Sequence, residues 1–188
     1  MEAKGTMRRG IVLAGLVAAL TLPAHAAGVD KSLSLAANQA YLAAYARKPG
    51  VVVKPDGLAY RILQNGYGTR PRPIDYVTVT YMGRLINGKV FDGTEEGMPV
   101  RFKVNSLIAG WAEALSLMKV GDRWEVVIPA KLAYGEAGTP DGTIPPNQTL
   151  VFELQLLKVV PPKLRPADPN NPDDKRAGED LGPDDEGN

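Results

Sequence analysis

The chain has 188 residues, of which 44% are hydrophobic and 23% are charged, and this suits one ordinary domain with tails. Lysine and arginine number 22 against 21 acidic residues, so the charge gives no reason to expect a surface that binds nucleic acid. Cysteine is absent, which excludes disulfides, thiolate nucleophiles and cysteine-ligated metals.

Residues 1–26 have the pattern of an export signal. Basic Arg8 and Arg9 precede an apolar run over 11–22, and the small-residue cleavage site Ala24-His25-Ala26 follows. Because the run is short for a bilayer span, we expect a cleaved leader and an exported, periplasmic or secreted product with no membrane span; an uncleaved anchor is the alternative. Cleavage removes the only histidine, which excludes Ser-His-Asp, Cys-His and histidine–zinc chemistry in the mature chain.

An N-terminal helical arm is predicted over residues 27–53. Lys31–Arg47 has helical spacing, and Pro49-Gly50 ends it. One short helix cannot bury itself, so it packs on the domain, pairs with a second copy or stays mobile. These alternatives remain open at the level of the sequence.

From Leu58 onward the apolar period changes to two, which indicates β-structure. Asn87-Gly88 predicts a hairpin with a type I′ turn. Ile108, Trp111, Leu115 and Met118 recur at helical spacing, with Gly121 expected as the C-terminal cap. Strands are predicted over residues 58–65, 75–86, 89–91, 100–104, 124–128 and 149–160. The pattern predicts an α+β fold in which an antiparallel sheet wraps around one short helix.

Two further segments lack these periods. The connection Pro129–Gln148 is long and rich in glycine and proline, and such loops are usually functional or disordered; we interpret this one as functional. Residues 161–188 are rich in proline and acidic groups and carry few large apolar residues, so a disordered tail is predicted. A partner-binding arm is the alternative for this tail.

Six short motifs follow one another over residues 79–153. They are Val79-Thr80-Tyr81-Met82-Gly83, Gly88-Lys89-Val90-Phe91-Asp92, Ile108-Ala109-Gly110-Trp111, Leu132-Ala133-Tyr134-Gly135, Ile144-Pro145-Pro146 and Leu150-Val151-Phe152-Glu153. In order and spacing they resemble the FKBP family of peptidyl-prolyl cis-trans isomerases, and particularly its exported bacterial members related to the macrophage infectivity potentiator. The resemblance covers about 54–160, which it makes the isomerase domain. Taken singly, each of these residues has an ordinary role in a core or a turn; their joint occurrence in order favours a binding pocket.

The resemblance implies a role for individual residues around a proline pocket. Trp111 would form its floor, and Asp92 would lie beside the twisting carbonyl or orient Tyr81. The Ile108 N–H and the Tyr134 hydroxyl would each hold a substrate carbonyl. The implied catalytic residues are Tyr81, Phe91, Asp92 and Tyr134, and the implied substrate-binding residues are Val100, Leu107, Ile108, Trp111, Ile144 and Phe152. Val100 stands where many members have phenylalanine, so one wall is expected to be smaller.

The function implied is isomerisation of X-Pro bonds in unfolded exported proteins, with no covalent intermediate, cofactor or metal. A holdase that uses the same groove without catalysis is the alternative. Macrolide inhibitors are the further ligands that the resemblance implies. The helical arm is much shorter than the dimerising region of the relatives, so a monomer is expected.

Overall fold

The structure is a computed structural model that describes residues 30–166, 169–170 and 175–182. The predicted leader over 1–26 lies outside these residues. The helices are α1 (Leu35–Tyr45) and α2 (Ala109–Leu117). The strands are β1 (Val51–Val53), β2 (Ala59–Gln64), β3 (Tyr76–Leu85), β4 (Val90–Gly93), β5 (Val100–Lys103), β6 (Arg123–Ile128) and β7 (Leu150–Val160).

All seven strands form one antiparallel sheet. The strand order is β1-β2-β6-β7-β3-β4, and β5 pairs with β3 beyond this path. The longest ladder joins β3 to β7, from Tyr76 opposite Val160 to Leu85 opposite Leu150. The predicted α+β architecture is confirmed, since the sheet encloses α2.

The core lies between the sheet and α2. Val77, Val79 and Leu154 of the sheet and Leu115 of α2 are fully buried. Helix α2 approaches the sheet so closely that a Cβ on Gly110 would overlap the side chain of Ile128. A glycine is therefore required at this point, immediately before Trp111, for the helix to lie against β6.

Local geometry differs from the sequence predictions at two glycines. Gly88 has a φ of +88° but Asn87 does not have positive φ, so the β3–β4 connection is not the predicted type I′ turn. Instead, Gly88 N–H closes a turn onto the Leu85 carbonyl, as in a type I turn followed by a left-handed glycine. Gly121 is not the cap of α2, because Met118 is already extended and ends the helix.

The N-terminal arm is docked on the opposite face of the sheet from α2. The side chain of Tyr45 is 1% exposed and packs against Ala59, Val127 and Val151. Asn38 accepts a hydrogen bond of 2.7 Å from the backbone N–H of Thr149. The helix itself is shorter than predicted. Within the range assigned to the arm, residues 51–53 form β1, which pairs with β2.

The described residues of the C-terminal segment make contacts that composition does not predict, while disorder of the tail over 161–188 stays a prediction. Leu164 and Asp180 form an antiparallel β-bridge, and the Asp180 carboxylate contacts side chains of the sheet. Composition indicates correctly that little apolar surface is available here, but it does not reveal polar contacts with the domain. In the part of the chain that the structure describes, no helix is long and apolar enough to cross a bilayer.

Candidate functional site

An open cavity of about 370 Å³ lies between α2 and one face of the sheet. Its walls come from β3, β4, β5 and β7, from the segment between β5 and α2, and from the long loop before β7. The lining residues are Tyr81, Phe91, Asp92, Phe102, Ser106, Leu107, Ile108, Trp111, Tyr134 and Phe152. The sheet therefore gathers residues that are far apart in sequence into one concave and mainly aromatic surface.

Trp111 forms the floor of this cavity. Its side chain is 4% exposed, and the rings of Tyr81, Phe152 and Phe102 stand almost perpendicular to it. The centroid distances from Trp111 to these rings are 5.0, 5.2 and 6.0 Å respectively. Edge-to-face contacts of this kind are favourable aromatic geometry, so the rings hold one another in place and leave the indole face as a rigid floor.

The walls also depend on the absence of a side chain at Gly83 in β3. A Cβ at this position would lie 2.7 Å from Phe152 and 2.8 Å from Phe91. These two rings meet edge to face at a centroid distance of 5.6 Å. Gly83 therefore leaves the space in which the second aromatic wall is packed.

A polar edge runs along one side of the aromatic surface. The Tyr81 hydroxyl donates a hydrogen bond of 2.7 Å to the Asp92 carboxylate, which also accepts from the Gly93 N–H at 2.9 Å. Burial raises the pKa of Tyr81 well above its usual value, and the hydrogen bond to Asp92 raises it further. The phenol therefore stays protonated and acts as a donor that fixes the carboxylate at the cavity edge.

Two further donors are available at this site. Ile108 occupies the position before the first turn of α2, and its backbone N–H has no acceptor among the described residues. Tyr134 also lines the cavity, and its side chain is 42% exposed. Both groups are placed where they can donate to carbonyl groups of a bound chain.

The cavity contains most, but not all, of the residues singled out from the sequence. Those it brings together are Tyr81, Phe91, Asp92, Leu107, Ile108, Trp111, Tyr134 and Phe152. Val100 does not line the cavity but packs against the core, and Ile144 is a core residue that is 4% exposed. Both residues pack with the cluster that contains Trp111 and Phe152, and their role in substrate binding stays a prediction.

Sequence reasoning missed Phe102 and Ser106, both of which line the cavity. A signal for Phe102 is present, because it follows Val100 by two positions in β5 and therefore lies on the same side of the strand. Its ring contacts that of Trp111 edge to face. Nothing in the sequence pattern distinguishes Ser106 from an ordinary loop serine.

Comparisons with known proteins agree with this geometry. A sequence model of the FKBP-type peptidyl-prolyl cis-trans isomerase family matches residues 68–157. The chain is 50% identical over 125 residues to the outer membrane protein MIP of Legionella longbeachae, covering 66% of this chain and 53% of that protein. It is similar to the crystal structure of a peptidyl-prolyl cis-trans isomerase from Pseudomonas syringae pv. tomato, with 40% identity, a TM-score of 0.63, and coverage of 66% of this chain and 92% of the other.

The crystal structure of FkpA from Escherichia coli is similar as well, at 42% identity and a TM-score of 0.64, with 67% of this chain and 59% of FkpA covered. The chain belongs to the family of FKBP-type peptidyl-prolyl cis-trans isomerases, and the resemblance in its motifs is confirmed. It spans about half the length of the curated relatives that it matches.

Proposed function

We propose that this protein is a peptidyl-prolyl cis-trans isomerase whose substrate is an X-Pro segment of an unfolded chain. The observation that carries the proposal is the aromatic cavity itself, with Trp111 as its floor and a fixed carboxylate, Asp92, at its edge. Membership of the isomerase family supports the same activity. The cavity volume of about 370 Å³ leaves room for a proline ring and part of its neighbours.

The reaction requires no acid, base or nucleophile. Rotation about an X-Pro bond meets a barrier of about 18–20 kcal/mol, because resonance gives the C–N bond partial double-bond character. The charge-separated planar imide is well solvated in water, so its transfer into an apolar cage disfavours the planar form relative to the twisted one. An aromatic cavity without a catalytic base is therefore sufficient for this chemistry.

The proposal gives each group around the cavity a role, which its position supports. The proline ring would lie on Trp111, between the walls formed by Tyr81 and Phe152. The Ile108 N–H would hold one substrate carbonyl, and the Tyr134 hydroxyl would hold another. In this proposal Asp92 lies beside the carbonyl that rotates out of the imide plane, with its position fixed by Tyr81.

We also propose that the substrates are exported proteins. The basis is the leader pattern over 1–26, together with similarity to a relative that is named an outer membrane protein. A macrolide that presents a proline-like ring would compete for the same cavity. The oligomeric state stays a prediction from the short arm.

The test is exchange NMR on a short peptide containing Leu-Pro, which measures cis-trans interconversion without a coupling protease. The variants are Trp111→Leu and, as the matched control, Trp124→Leu. Trp124 is 3% exposed in the same core, but it stacks on Tyr60 at 4.3 Å and does not line the cavity. We expect Trp111→Leu to lower the catalysed exchange rate at least about tenfold, equivalent to about 1.4 kcal/mol, and Trp124→Leu to change it less than about twofold.

Two results would contradict the proposal. If the native protein binds the peptide without accelerating exchange, the activity is absent and the holdase alternative is supported. If both leucine variants lose activity equally while circular dichroism shows that they are folded, the cavity is not the site. Suppression of aggregation of an unfolded protein, measured on the same variants, separates groove binding from turnover.

A further inference from the structure

The C-terminal segment folds back towards the edge of the sheet where β5 ends. Leu164 and Asp180 form an antiparallel bridge, and backbone hydrogen bonds of 2.8–2.9 Å flank this bridge on both sides. We call residues 163–165 and 178–182 the C-terminal ladder. The strand β7 ends at Val160, which pairs with Tyr76 of β3. The ladder begins three residues later, at Lys163, and its Asp180 contacts the same Tyr76.

The side chain of Asp180 connects the ladder to the sheet. One carboxylate oxygen accepts hydrogen bonds from the Lys103 ammonium group and from the Tyr76 hydroxyl, the latter at 3.1 Å. The other oxygen accepts from the Gly182 N–H at 2.9 Å. The ammonium group of Lys103 lowers the pKa of Asp180 from its usual value. The side chains of Lys103 and Asp180 are 30% and 21% exposed, so the pair lies at the surface and is partly covered.

Lys103 is the last residue of β5, and two residues close to it in the chain, Phe102 and Ser106, line the cavity. Phe102 precedes it, and the Ser106 hydroxyl donates a hydrogen bond of 2.8 Å to the Lys103 carbonyl. Among the described strands, β5 pairs only with β3. This short strand therefore has one strand neighbour to hold it, and the Lys103–Asp180 pair supplies a second attachment at its end.

We propose that Asp180 is a positioning residue for substrate binding, which acts through Lys103 to hold the cavity wall formed by Phe102 and Ser106. The C-terminal ladder is then a working part of the isomerase domain and not an appended tail. This inference rests on the proposed function for its effect on substrate. Its effect on the cavity wall is independent of any activity.

The test uses the full-length protein and two variants of the ladder. Asp180→Asn removes the charge that binds Lys103. Glu179→Gln is the matched control, because it removes the same charge from the adjacent residue, whose side chain is exposed and does not reach Lys103. We expect Asp180→Asn to lower kcat/KM about two- to fivefold. The change should appear as a higher KM with kcat unaltered, because the wall contacts substrate and transition state alike. Glu179→Gln should leave both constants unchanged.

The second readout is the indole N–H signal of each tryptophan in a nitrogen–proton correlation spectrum. The chain has 2 tryptophans, and Trp111→Leu assigns the signals. We expect Asp180→Asn to shift the Trp111 signal, because Phe102 packs on that indole, and to leave the Trp124 signal in place. Exchange of the two charges, Lys103→Asp with Asp180→Lys, should return the Trp111 signal towards its native position.

The proposal is overturned if Asp180→Asn and Glu179→Gln give the same Trp111 signal, or if Asp180→Asn shifts both indole signals equally, as a general loss of stability would. Because the spectrum requires no turnover, it tests the effect of Asp180 on the cavity wall even if the protein fails to isomerise the peptide. A shift of the Trp111 signal without isomerase activity would retain the positioning role and refute the proposed function alone.

Discussion

Substitution of Phe102 tests which residue of β5 forms the cavity wall. Phe102 lines the cavity, and its ring centroid lies 6.0 Å from that of Trp111 and 6.2 Å from that of Tyr81. Val100 lies two residues earlier in the same strand and packs against the core without lining the cavity. Since side chains alternate along a strand, Phe102→Ala and Val100→Ala are matched changes on one face of β5.

The expected loss of stability follows from these contacts. An aromatic pair contributes about 0.5–1.5 kcal/mol beyond its buried area, so the two ring contacts of Phe102 contribute about 1–3 kcal/mol. Removal of a fully buried phenylalanine side chain costs about 3–5 kcal/mol, and Phe102 is half-buried. We therefore expect Phe102→Ala to lower the free energy of unfolding by about 2–3 kcal/mol, and Val100→Ala to lower it by about 1 kcal/mol.

The assay combines urea denaturation with exchange NMR on the Leu-Pro peptide. We take the Phe102 ring to stabilise the transition state, in which the imide is twisted, by about 1.4 kcal/mol. Phe102→Ala should then lower kcat/KM about tenfold, whereas Val100→Ala should lower it less than about twofold. The reasoning is refuted if the two variants lose activity equally, or if Phe102→Ala changes stability and leaves kcat/KM unaltered.

Two further predictions concern stability at low pH and the packing of the walls. The Arg72 guanidinium lowers the pKa of the Asp75 carboxyl, so the ion pair stabilises the fold above the ordinary pKa of 3.8, and this stabilisation is lost as the pH falls through the lowered pKa. Asp75→Asn should therefore lower the urea midpoint near pH 7, and its difference from the native protein should shrink as the pH falls below 3.8; a difference that is constant with pH would contradict this. Gly83→Ala would place a Cβ 2.7 Å from Phe152, so we expect kcat/KM to fall at least about tenfold while the far-ultraviolet circular dichroism spectrum stays native. Near-native activity would contradict this and show that the Phe152 ring moves aside freely.

The sequence predicts the sheet well because its strands have a strong period of two. The alternating runs in β3, β5, β6 and β7 all lie within about two residues of the observed strands. The strand β1 escapes prediction because Val51–Val53 is only three residues long and shows no alternation of apolar and polar residues. Its formation depends on pairing with β2, a contact that local sequence does not encode.

The site is predicted less completely than the sheet, for a physical reason. Family resemblance identifies positions, but the length of the side chain determines which residue reaches the cavity. On β5 the residue that lines the cavity is Phe102, two positions after Val100. The long loop folds Ile144 into the core, where its backbone N–H bonds to the Thr139 hydroxyl at 3.0 Å. Such packing choices depend on the whole fold.

The start of α2 shows how the proposed function and stability compete at one position. Helices commonly begin with serine, threonine, asparagine or aspartate, whose side chains bond the first free N–H groups. Helix α2 begins after Ile108, which gives no such bond. A missing cap costs about 1 kcal/mol of stability. Ile108 instead supplies an apolar side chain to the cavity wall, and backbone N–H groups at the start of α2 stay unbonded within the described chain, at the edge of the cavity. An apolar site that binds a peptide carbonyl requires both features.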